Sequence, residues 1–327
     1  MSYAQYGKVE AADYNTLVGN YSTASSAANA LNTVYGIGSG RSGYGQAFVS
    51  GTTSGLPQVS VGASVTYDNW ANLINVNTNL ATHQNTSLTL VTPPSQGATI
   101  AYLSAVSTNL TSIYTNRNNA VAQAGTTVNT TTTSTTWSSA ITFTHTVTFE
   151  SADKARYFFN GGGQIKLQFS HTSGTPINTL LNALATACGT VVISAVSSGT
   201  QTIAGVSYNG VTKRGGSGTV STLLTNAGYY GLTTSNQEVF KQFASGSPAG
   251  YIGTFISVNI RTNGTQGVNS DNGSVMTITT VWDMVPNGAP TYIASGSSTR
   301  IDAVYPSTSY LTNTWGAVSL SGVVSGS

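Results

Sequence analysis

The sequence predicts an α+β chain, with an N-terminal helical region followed by a mainly β domain with short helices. Three observations carry that expectation. Apolar residues recur at three- and four-residue spacing up to about residue 123, and strict two-residue alternation begins at Ile141. A tract of threonines separates the two patterns.

In chain order, Asp13 is placed to cap a helix running through Tyr14, Leu17, Val18 and Tyr21, and Ala27 to Tyr35 continues the pattern with Leu31, Val34 and Tyr35. Gly36 to Gly45 is too glycine-rich for either regular structure and reads as a loop. A helix starts near Thr66, where Trp70, Leu73, Ile74 and Asn77 share a face. Another follows Pro93-Pro94, with Ile100, Leu103, Val106, Leu110, Ile113 and Tyr114 aligned. Thr126 to Thr136 is β-branched but has no apolar face, so it reads as an extended linker or edge segment.

Beyond it, Ile141, Phe143, His145, Val147 and Phe149 alternate with threonines, the pattern of a half-buried strand. A short helix from Ser151 to Phe159 should end at Asn160-Gly161-Gly162-Gly163, where glycine can adopt a left-handed cap. Strand 165–169, a helix from Pro176 to Cys188 and strand 190–196 follow. Thr254 to Ile260 and Ser274 to Trp282 suggest a long-looped hairpin, and the tail from Ser295 reads as irregular or edge structure. The expected organisation is therefore a helical docking and assembly region with a Gly-rich loop over 1–125, a Thr-rich linker over 126–136, and an α+β to mainly β domain over 137–327.

Only 6% of the 327 residues are charged, against about a quarter in an ordinary soluble domain. Polarity comes instead from Ser, Thr, Asn and Gly, and such a surface favours binding by shape and neutral hydrogen bonds over long-range steering. The net charge is +2 and the densest basic spots are Lys154/Arg156 and Lys213-Arg214, too small for a nucleic-acid surface. A single cysteine, Cys188, precludes an internal disulfide framework. The start lacks the basic and apolar regions of a secretion signal, and no run of about 18 apolar residues suggests a membrane span. Synthesis in a cytosol is expected.

Catalytic, cofactor and metal sites are each expected to be absent. Gly38-Ser-Gly40-Arg-Ser-Gly43 matches a dinucleotide fingerprint in letters, yet a helical segment precedes it and no clear helix follows, so it reads as a flexible or partner-contacting loop. Gly161-Gly-Gly163 lacks the Lys-Ser/Thr of a phosphate loop. His83, His145 and His171 are far apart and without ligand spacing, and His145 alternates with core residues. Cys188 closes an apolar helix and reads as a small core residue. Glu150, Asp153, Lys154 and Arg156 form one charge cluster, in which Asp153 and Arg156 complement a helix dipole. Asp271-Asn272-Gly273 lacks the later acidic ligands of a calcium loop and reads as a turn.

Three stretches resemble virion structural proteins of tailed bacteriophages, notably those of marine and cyanobacterial hosts. They are Ala12 to Leu17 with Ile37 to Gln46, then Val61 to Ile74 with Ala81-Thr-His-Gln84, and, most distinctively, Phe149 to Leu167. The resemblance covers about half the chain. It implies a non-enzymatic structural component of the tail, neck, baseplate or fibre apparatus, assembled in multiple copies. The implied partners are other virion proteins and copies of itself, and the implied location is the virion. The alternatives are a capsid decoration or head-fibre protein, and a receptor-binding adhesin whose exposed Tyr and Trp stack on host glycan.

Overall fold

A computed structural model describes residues 10–19, 30–38, 41–48, 55–93, 95, 103–246, 251, 253–264, 273–285 and 292–326. Four helices come first: α1 (Ala11–Val18), α2 (Leu31–Val34), α3 (Tyr67–Gln84) and α4 (Leu103–Thr115). Thr66 caps α3 as its sequence suggests, accepting from the Asn69 amide while the Asn69 side chain returns a bond to the Thr66 amide. At α1 the cap is Glu10 rather than Asp13. Asp13 stands three residues in and bonds back to the Glu10 amide, so the acidic residue serves the same helix end from the other side of the capping box. The second helix is confined to one turn, and residues 21, 27–29, 94 and 100 of the expected helices lie outside the described set.

The remaining chain runs through β1 (Gln123–Thr133), β2 (Thr136–Trp137), β3 (Ala140–Phe149), α5 (Ala152–Asn160), β4 (Gln164–His171), α6 (Pro176–Cys188) and β5 (Thr190–Ile193). Then come β6 (Gln201–Ile203), β7 (Val206–Tyr208), β8 (Val211–Arg214), β9 (Thr222–Leu223), a 3-10 turn (Tyr229–Gly231) and β10 (Gln237–Phe243). The chain closes with β11 (Phe255–Thr262), β12 (Val275–Asp283), β13 (Ala294–Ser295), β14 (Ser297–Pro306) and β15 (Val318–Gly326). The fold is mixed α+β with mainly antiparallel β content.

Two antiparallel sheets dominate, one ordered β1-β14-β4-β5-β8 and the other β15-β3-β12-β11-β10-β9. Their apolar rows face each other, as side-chain alternation requires. Phe169 of β4 stacks on Phe240 of β10 at 6.3 Å and meets Trp282 of β12 edge-on at 6.4 Å. Helix α6 leaves a stripe at Pro176, Thr179, Ala183 and Thr186 exposed, because it packs on β4 of one sheet and on β10 and β11 of the other. The β6–β7 hairpin covers a smaller cluster of Ala120, Val192, Ile203 and Tyr208 on the outer side of the first sheet.

The structure narrows three expectations. The threonine tract is mostly β1, the edge strand of the five-stranded sheet, with Thr127 to Thr133 paired to Val304 to Ser298. Hydrogen bonds to β14 compensate for its lack of an apolar row. The tail from Ser295 is not uniformly peripheral: β15 is an edge, but β14 lies between β1 and β4 and is buried along most of its length. The glycine after α5 that takes positive φ is Gly162, at 97°, whereas Gly161 at the cap stays right-handed. One apolar cluster joins Tyr14, Trp70 and Val106 of the helical part to Phe143, Phe158 and Trp315 of the β part.

Candidate functional site: the glycine loop and helix α5

The two most distinctive sequence stretches meet. After α2, Tyr44, Gly45 and Gln46 run back along Val34 to Gly36, their amides donating to Val34 O, Gly36 O and Tyr35 O at 2.8 Å each. This return brings Gly38 and Gly43 side by side. Gly38 (φ 82°) and Gly43 (φ 96°) form a neck, where a Cβ on Gly43 would stand 2.3 Å from the Ile37 carbonyl oxygen.

Helix α5 grips that neck from the side. Arg156 is buried, and its Nη1 donates to Ile37 O at 2.7 Å and to Ser42 O, while Nη2 meets Asp153 Oδ1 at 2.9 Å. Asn160 Nδ2 donates to Gly43 O at 2.8 Å, and its Oδ1 accepts from the Tyr230 hydroxyl. The Tyr157 ring occupies the space a side chain at position 45 would need. On the far side, Arg41 bonds Ser197 Oγ and lies over the Tyr230 ring at 5.4 Å. Burial pushes the Tyr44 and Tyr230 hydroxyls well above the usual tyrosine range, so both remain neutral donors.

The chemistry of this arrangement is opposite to that of a phosphate cradle. Carbonyl oxygens of Ile37, Ser42 and Gly43 converge on a guanidinium and an amide, whereas an anion site presents N–H groups. The G-x-G-x-x-G letters therefore build a latch held by the protein's own cation. Gly161 to Gly163 likewise sit tight against Pro306, Ala120 and Phe158 rather than around an open space.

A second feature is the use of neutral amides as clamps. Asn15, Asn32 and Asn109 each bond both the N–H and the C=O of one distant residue: Val59, Leu56 and Thr89 respectively, at 2.7–2.9 Å. Gln46 does the same to Thr312, fastening the glycine loop to the C-terminal segment at 2.8 and 3.0 Å. Each amide imitates one rung of a strand ladder, supplying donor and acceptor together. Sequence reading missed all four, because their partners are backbone groups 20 to 266 positions away and leave no side-chain signal.

The histidines occupy the interior separately. His83 and His145 are fully buried with no hydrogen bond to either ring nitrogen, and burial lowers both to about 4. The backbones of Gly161 and Thr299 beside them offset only part of the desolvation. His171 lies in a serine–imidazole–amide chain: Nδ1 meets Ser297 Oγ at 2.9 Å and Nε2 meets Asn178 Oδ1 at 3.1 Å. Asn178 Oδ1 can only accept, which assigns the ring proton to Nε2 and leaves Nδ1 to accept from Ser297. Ser297 also receives Trp137 Nε1–H at 3.1 Å and has no exposed surface, so a substrate has no line of approach. The chain ties β14 to β4 and α6.

Burial pushes the Cys188 thiol up to about 12, leaving it inert at neutral pH. Glu150 is exposed, paired with Lys154 and accepting from the Ala317 amide, and these contacts lower its carboxyl below the usual range. Asp271 and Asn272 lie outside the described residues. Among the described residues, no three His, Cys, Asp or Glu side chains come together as a metal site, and no helix is long and apolar enough to cross a membrane. All four tryptophans are buried, and the exposed aromatic side chains among the described residues are Phe48, Tyr67, Phe243, Tyr292 and Tyr310. No family model, curated protein or solved structure matches this chain.

Proposed function

We propose that the chain is a structural component of a tailed-phage particle, assembled in several copies within the tail, neck or baseplate apparatus and without catalytic activity. The observation that supports this reading is the interlock of the two stretches that carry the phage resemblance. Arg156 and Asn160, the reactive-looking residues of the 149–167 stretch, bond loop carbonyls inside the protein. The distinctive residues thus serve architecture, as expected where the product of the fold is a shape. In this reading helices α1–α4 form the docking region and the β part packs against neighbouring subunits. The surface that neighbours meet is neutral and rich in hydroxyls, with exposed apolar side chains such as Val61, Leu90 and Ile293 scattered over it.

Cryo-electron microscopy of the intact particle tests the reading. Density for this fold in neck, tail or baseplate, with neighbours on both the helical and the β parts, supports it. Density on the capsid surface would establish decoration instead, density only at a free distal tip would establish host attachment, and absence of the chain from purified particles would refute all three.

A further inference from the structure

The two sheets end side by side along one flank of the sandwich, at β1 and β15, and we propose that this double edge pairs with the same edge of a second copy. The inference deepens the assembly reading above, on which its biological setting rests, by naming the surface and the partner.

An unpaired strand exposes a row of backbone donors and acceptors, and natural proteins blunt such edges with charges, proline, bulges or very short strands. The far flank is blunted in this way: β8 ends in Lys213-Arg214, and β9 is two residues long with Glu238 and Lys241 behind it on β10. Among the described residues the near flank is less protected: its one irregularity is a register shift in β1 between Gln123 and Thr127. Neither β1 nor β15 contains a charged residue or a proline. β15 pairs with β3 without a shift from Val318 opposite Phe149 to Gly326 opposite Ile141, and β1 is regular from Thr127 to Thr133. Val323 is 65% exposed on β15 although it falls in the outward row with Ser319, Ser321 and Ser325.

The two edges are also held close. A Cβ on Gly322 would lie 2.2 Å from Thr132 Oγ1 and 2.8 Å from the His145 ring, so glycine there lets β15 approach β1 and merge two edges into one strip. A second copy is the occupant this strip fits. A symmetric contact sets each strand against its own sequence, where any charge would meet its like. A strand with none pairs with itself without repulsion, and offers nothing complementary to a charged partner. Nine residues of β15 span ~30 Å. Two sheets roughly 10 Å apart make a strip of ~300 Å² per copy, near ~600 Å² in total and well below the usual size of a stand-alone interface. The contact is therefore weak in a pair and strengthened when several subunits engage together.

Sedimentation velocity on the whole protein, from micromolar to hundreds of micromolar, tests the proposal alongside hydrogen exchange at the same concentrations. Expected are concentration-dependent dimers, slowed exchange confined to 127–133 and 318–326, and at least tenfold weaker association for the double variant Ser321→Lys with Val323→Lys. Both side chains point outward, so native circular dichroism should persist. Thr222→Lys on the far flank should leave association unchanged. A monomer across the whole range, dimers insensitive to the double variant, or protection elsewhere would each overturn the proposal. Self-association along this edge in a chain that is missing from particles would sink the phage assignment and leave the edge pairing standing.

Discussion

Replacing Arg156 with Met would remove the guanidinium while keeping most of its apolar stem. The wild-type side chain is almost wholly buried and makes two charge-assisted bonds to loop carbonyls plus one to Asp153. Asp153 is 45% exposed, so that ion pair contributes little. Each bond from a charged donor to a buried carbonyl is worth about 1.5–3 kcal/mol, which gives a loss of about 3–6 kcal/mol for the pair. Arg156→Lys offers one compact ammonium to two carbonyls and should lose about half as much. With a urea slope of about 3 kcal/mol/M, the Met variant unfolds at a midpoint roughly 1–2 M lower. Hydrogen exchange gives the local readout: the amides of Tyr44, Gly45 and Gln46, which close the loop return, should lose protection first. A midpoint shift equivalent to less than about 0.5 kcal/mol, with those amides still protected, would refute the latch and return Arg156 to the role of a surface-type dipole partner.

Stability should fall as pH drops from about 6.5 to about 4: His83 and His145 have depressed folded-state pKa values, so the unfolded chain takes up protons first. Lowering from 6.5 to about 4 is worth roughly 3 kcal/mol per histidine, present in full above pH 6.5, and His145→Leu should flatten the urea-midpoint profile over that window. Gly43→Ala should cost at least about 2 kcal/mol in chemical denaturation, combining a positive-φ penalty with the contact against Ile37 O; an unchanged midpoint would show that the neck can relax. A fluorophosphonate probe of activated serines should leave native Ser297 unlabelled, and Ser297→Ala should cost about 1–3 kcal/mol by orphaning Trp137 Nε1 and His171; labelling at Ser297 would establish a nucleophile instead.

The elements that could be read from sequence were those whose signals are local. Thr66 with Trp70, Leu73 and Ile74, the alternation around Phe143, and Pro176 at the start of an apolar helix each state an end or a face within a few residues. β14 failed that test because its first four residues, Ser297 to Arg300, are polar and its burial on both faces comes from β1, β4 and the opposing sheet. The short strands β6 to β9 carry too few residues to show a period. Arg156 was legible only as a complement to the helix dipole together with Asp153, which it also contacts. Its main acceptors lie 114 and 119 positions earlier, and no pattern in a single sequence links a guanidinium to a carbonyl.

The low charge of the chain acquires a sharper meaning from where the charges sit. Arg41, Arg117, Lys154, Arg156, Lys213, Lys241 and Arg300 each bond a group of the same chain. Seven of the eleven cationic side chains thus meet a group of their own chain, and the net charge of only +2 leaves little long-range field for a partner to feel. Recognition then falls to backbone groups and hydroxyls, whose bonds are short-ranged and insensitive to counterions. Association along the β1/β15 flank should therefore change by less than about twofold between 0.1 M and 1 M salt, although the Debye length contracts from about 10 Å to about 3 Å. Sedimentation at the two salt concentrations reads this directly. A tenfold weakening would mean that charges outside the strip, such as Arg261 or Lys166, hold the copies together, and the neutral-edge argument would fail on its central premise.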